Sequence, residues 1–142
     1  MVLGEKLWEG KGKSAGPGFI KSVGMDGVTS MYSWNAQLKG TGHAKGVDIN
    51  LNVTGVSTMP PKGIAAAKDQ GVFMTMTGDM GVLKGFDLMK MMEGGKPASV
   101  GLWTFMTTSE KLSWMNNLIA VITFEALDPM WMELNITINE WK

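Results

Sequence analysis

Hydrophobic and polar residues alternate along most of this chain with a period of two, the spacing of a half-buried β-strand. In residues 47–54, Val47, Ile49, Leu51 and Val53 fall on one face and Asp48, Asn50, Asn52 and Thr54 on the other. In residues 130–141, Met132, Leu134, Ile136 and Ile138 oppose Glu133, Asn135, Thr137 and Asn139. Residues 28–39 put Tyr32, Trp34, Ala36 and Leu38 on one side. The same reading predicts strands over 7–13, 19–25, 64–68, 72–77 and 82–92. Two runs, 100–106 and 118–124, are apolar on both faces and rich in β-branched and aromatic residues, so both faces must be covered. They read as central strands, joined by a polar connector over 107–117.

Between the strands stand turn signals. Asp26-Gly27 reads as a hairpin turn, because both residues tolerate positive φ. Residues 14–18 and 40–46, Gly78-Asp79-Met80-Gly81, Gly94-Gly95 and Leu127-Asp128-Pro129 separate the remaining strands, and Pro60-Pro61 predicts an irregular stretch over 57–63. Nine or ten short strands without a long amphipathic helix or a linker imply one all-β domain over 1–142. The expectation is a single antiparallel barrel, with a two-sheet sandwich as the alternative.

The strand pattern resembles calycin and allene-oxide-cyclase-like barrels, and small prokaryotic barrel families of uncharacterised function. Lipocalins carry a Gly-x-Trp near the first strand; Lys6-Leu7-Trp8 places a tryptophan there, with lysine where the glycine would be. The resemblance implies a closed antiparallel barrel with an apolar interior, sometimes hollow enough for a small ligand.

Composition narrows the chemistry. Thirteen basic residues, all lysine, balance thirteen acidic ones. Neither net charge nor arginine forks favour nucleic acid. Without cysteine there is no disulfide, thiolate catalysis or Cys-ligated metal. No apolar leader or membrane-length span is visible, so the expectation is a cytoplasmic protein without membrane, cofactor or metal.

Candidate sites follow. The lone His43 reads as an exposed loop residue. The Met74, Met76, Met80 and Met89–Met92 thioethers, the soft donors a Cu(I) site would use, read as adaptable apolar packing. Among the carboxylates Glu9, Asp79, Asp87, Glu110, Glu125 and Glu133, Asp87 and Glu125 lie within apolar strands and are the candidates for raised pKa values. Ser109 and Ser113 flank Lys111, a weak Ser–Lys signal. The apolar Leu112, Trp114 and Met115 make the connector a lid over one barrel end.

The leading functional expectation is a small apolar or aromatic ligand lined by Tyr32, Trp34, Met74, Met76, Leu102, Met106, Trp114 and Phe124. One alternative is a cyclase- or isomerase-type barrel using Glu125 or Asp87; the other is a structural homo-oligomer with a filled barrel. If Leu102 and Met106 face inward, then Trp103, Phe105, Ile119 and Val121 face outward as a dimer surface.

Overall fold

The computed structural model describes residues 3–15 and 18–142; Met1, Val2 and the Gly16-Pro17 of one expected turn lie outside the described residues. Nine strands follow one another: β1 Leu3–Ser14, β2 Phe19–Gly24, β3 Gly27–Gly40, β4 Ile49–Met59, β5 Ala65–Thr75, β6 Met80–Met91, β7 Pro97–Thr107, β8 Ile119–Ala126 and β9 Glu133–Trp141. All pairings are antiparallel, and each of β3 to β8 pairs with its successor. Pairing of β1 with both β9 and β3 closes eight strands into a barrel, and β2 extends it as a hairpin on the first half of β3. Closure removes the open sheet edges that a flat array of these strands would expose.

Inside, large apolar side chains pack the barrel. Trp8, Trp103 and Phe73 are fully buried, and Ile49, Leu51, Ile122, Ile136 and Ile138 close the space between them. The alternation of β4 and β9 puts its apolar side inward as expected; only Met132, just before β9, is exposed. Two stretches differ from the sequence expectation. β4 continues to Met59, through part of the region expected to be irregular. The expected strands 64–68 and 72–77 are one strand, β5, because Asp69, Gln70 and Gly71 pair in unbroken register with β4 and β6.

The register of β7 reverses the expected one. Trp103 and Phe105 are buried inside, while Leu102 and Met106 sit on the outer face, Met106 at 67% exposure. Both faces of β7 are apolar, so alternation alone cannot choose between them, and a one-residue slip exchanges them. Volume makes the choice: the interior takes the two large rings and places Gly101 beside Asp87, while Val100, Leu102 and Met106 go outward. On β8 the orientation is the expected one, with Ile122 and Phe124 inside and Ile119 and Val121 on the outer side; Ile119 is partly exposed and Val121 is buried among neighbours.

The connector after β7 caps one end of the barrel. Asn116 ties it back: its Oδ1 accepts from the Thr107 N–H at 2.8 Å and its Nδ2 donates to the Thr107 carbonyl at 3.1 Å. Leu112 and Met115 are buried under it. Trp114 stacks on Trp8 with centroids 5.8 Å apart, and His43 packs against Trp114 at 4.9 Å. The Trp8 indole N–H donates to the Val47 carbonyl at 2.8 Å. Among the described residues no helix is long and apolar enough to cross a membrane.

Candidate active site

Toward the end opposite the connector, the inward rows change from apolar to polar. One row runs Tyr32, Gly55, Asp69, Gly85, Trp103 and Ala120 across consecutive strands. The next runs Ser57, Ala67, Asp87, Gly101 and Ile122. Directly paired residues share a face, so Asp69 on β5 and Asp87 on β6 are diagonal neighbours inside the barrel. Their exposure is 4% and 6%.

Glycines make room for these groups. A Cβ on Gly55 would collide with the Tyr32 hydroxyl and Asp69, and one on Gly101 would collide with Asp87 Oδ1. The Tyr32 hydroxyl donates to Asp69 Oδ1. Asp69 Oδ2, Asp87 Oδ1 and Trp103 Nε1 are buried without an aligned hydrogen-bond partner among the described residues. Below them lies an aromatic floor: Trp34 stacks on Trp103 at 5.9 Å, and Phe124 meets Trp34 edge-on at 5.2 Å. Beside Asp87 in its own row the inward positions are small, with Ser30, Ser57 and Ala67 half-buried, and the next row toward the barrel end holds Ala65, Met89 and Ser99.

This environment sets the protonation states. Burial pushes the Asp87 carboxyl up from 3.8 to about 9; the adjacent Asp69 adds to the rise and the Trp103 indole N–H opposes it. Asp87 is therefore a neutral acid at pH 7, able to donate a proton. Burial also raises the Tyr32 phenol, with Asp69 contributing by charge and hydrogen bond, so Tyr32 stays a donor. A neutral carboxylic acid thus stands beside a second buried carboxyl over an aromatic floor.

Of the residues expected to line a ligand site, Tyr32, Trp34 and Phe124 come together here. Met74, Met76 and Met106 are exposed on the outside, Leu102 lies half-buried on the outer face, and Trp114 belongs to the cap at the other end. Of the two candidate carboxylates, Asp87 is buried and Glu125 is exposed. Glu125 lines a surface groove of about 380 Å³ with Glu9, Lys11, Thr123, Asn135 and Thr137, outside the barrel. Glu9 pairs with Lys6 at 2.6 Å, and Glu110 and Glu133 are exposed.

Ser109 does not face Lys111 as a nucleophile pair; its hydroxyl donates to Asp79 Oδ1 at 2.9 Å. The Ser109 and Thr77 hydroxyls hold the Asp79 carboxyl below the usual range. His43 is tied to the cap, its backbone N–H donating to Glu5 Oε1 at 3.0 Å. Among the described residues no three His, Asp or Glu side chains gather where they could hold a metal. Asp69 is the residue that sequence reasoning missed. It lay in the gap between two expected strands, although its spacing from Phe73 and Thr75 marks it as inward once they are one strand.

No family model and no curated protein matches the chain. Solved structures do. A β-barrel-like protein from Acinetobacter baumannii AYE is similar over 99% of this chain and 96% of its own, with TM-score 0.82 and 16% identity. A protein of unknown function from Clostridium acetobutylicum ATCC 824 is similar over 99% and 97%, with TM-score 0.81 and 12% identity. An enzyme from Penicillium herquei is similar over 98% and 94%, with TM-score 0.65 and 19% identity. At these identities the likeness is one of fold. The chain is thus an all-β protein built on a closed antiparallel eight-stranded barrel, the fold it shares with these proteins.

Proposed function

We propose that the barrel end opposite the connector holds a small uncharged ligand, apolar or aromatic, and that the Asp69–Asp87 pair moves a proton on it, as an isomerase- or cyclase-type enzyme would. The observation that carries this reading is the buried Asp87 carboxyl, raised to about 9 beside a second carboxyl. Two acids whose environments differ divide into donor and acceptor. Asp87 gives its proton to a ligand oxygen. Asp69, whose Oδ2 is the atom left without a bond, takes one from carbon. Tyr32 holds the other Asp69 oxygen in place and itself stays protonated. Trp34 and Trp103 give a planar ligand a face to stack on. A neutral ligand is favoured because an anion would meet two carboxyls in a low-dielectric site.

Buried, incompletely bonded titratable groups cluster at functional sites more often than in structural cores. One barrel of this fold, that of Penicillium herquei, is an enzyme, which agrees with the reading. Kinship to calycin or allene-oxide-cyclase-like barrels belongs to the same proposal and is supported by the closed antiparallel meander.

The test uses 1-tetralone, a neutral bicyclic ketone, in D2O. Tryptophan fluorescence should report saturable binding, and NMR should show α-carbon deuterium exchange accelerated by the protein. Asp69→Asn should abolish the acceleration and leave binding within about threefold. Binding without acceleration in the wild type would reduce the site to a binding module. Neither binding nor exchange would favour the filled structural barrel.

A further inference from the structure

We infer that the outer face of β5, β6 and β7 is the interface of a homodimer. The outside of the barrel is divided. The outward positions of β3, β4, β9 and β1 are mainly polar, with Asn35, Asn52, Asn135 and Lys11 in neighbouring register. On β5 to β7 they are mainly apolar, with Lys68, Lys84 and Lys90 the exposed charges among them. Val72, Val82 and Met106 are cross-strand neighbours, as are Leu88 and Val100, with Phe86 between the two groups. These six side chains are between 42% and 67% exposed. With the adjoining Met74 and Met80 they leave on the order of 800 Å² of apolar surface open, about one partner's share of a stable complex and more than monomers usually expose. The expected dimer residues Trp103 and Phe105 are inside the barrel, so the interface is carried by their outward neighbours instead.

The occupant is a second copy, and a polar row decides this. Gln70, Lys84 and Thr104 are cross-strand neighbours running through the middle of the apolar face. A bilayer offers no hydrogen-bond partner at that depth. The same row on a second copy offers Gln70 and Thr104 oxygens to the three donors of the Lys84 ammonium. A two-fold axis uses one patch twice, so one apolar face on each copy suffices.

Sedimentation velocity at micromolar concentration tests the inference. The wild type should sediment at twice the 15.4 kDa of one chain. Val82→Glu/Val100→Glu, both at exposed positions, should sediment as a folded monomer with unchanged circular dichroism, while Asn52→Lys on the far side stays dimeric. Phe86→Glu repeats the test should the double variant fail to fold. A monomeric wild type, or a dimer that survives both sets of substitutions, overturns the inference. A monomeric wild type that floats with phosphatidylglycerol vesicles, and stops doing so on Val82→Glu/Val100→Glu, assigns the face to a bilayer instead.

Discussion

Asp87 holds a proton in the folded chain that it releases in the unfolded one. Its folded value, about 9, lies above its ordinary 3.8. Its contribution to stability is therefore full below pH 4 and is lost as pH rises toward 9. By linkage the loss between pH 4 and 7 is on the order of 4 kcal/mol. Asp79 and Asp128 act in the opposite sense and in another window. The hydroxyls of Ser109 and Thr77, and the backbone N–H groups of Met132, Glu133 and Met130, lower these two carboxyls. The stability they add is present above pH 4 and lost as the medium becomes more acid than that. Urea unfolding from pH 4 to 9 should show wild-type stability falling with pH, and Asp87→Asn should flatten the fall and be the more stable chain at pH 8. Parallel curves for the two proteins would place Asp87 in an ordinary solvated setting. Asp87 could be singled out from sequence because an acid stood in an apolar strand. The same logic chose Glu125 wrongly: on β8 the outward side is also apolar at Ile119 and Val121, so apolar neighbours did not mean the interior.

At the level of elements, legibility tracks how different the two faces of a strand are. β4 and β9 alternate cleanly, and both place their apolar residues inward as read. On β9, Leu134→Asp should cost several kcal/mol by burying an unpaired charge, and Asn135→Asp, one residue along and outward, well under 1 kcal/mol. Thermal melts that find the two variants equally stable would contradict the register. β7 is apolar on both faces, and there the periodic signal carries no direction; the size of Trp103 and Phe105 and the space beside Asp87 decide it. The strands expected over 64–68 and 72–77 leave Asp69-Gln70-Gly71 in the gap between them, and that gap hides the second carboxyl. The connector was legible as a lid because Leu112, Trp114 and Met115 are too apolar for a solvated loop, and they do pack against the barrel end.

The whole molecule divides along two directions. Along its axis, an aromatic core sealed by the connector gives way to a buried polar cluster. Around its circumference, the polar outer face of β3, β4, β9 and β1 gives way to a mainly apolar face on β5 to β7, crossed by the Gln70, Lys84 and Thr104 row. The first division locates the proposed chemistry and the second the proposed partner, and they are independent, since Asp69 and Asp87 point inward from the same strands whose other faces carry the apolar patch. The account depends most on Asp87 being a neutral acid inside the folded barrel. Carbon-detected NMR of protein labelled with ¹³C at the aspartate carboxyl carbons measures this directly. One aspartate should titrate at about 9 and vanish from the spectrum of Asp87→Asn. If the Asp87 carboxyl instead titrates within about a unit of 3.8, the buried donor does not exist and the proposed chemistry fails with it.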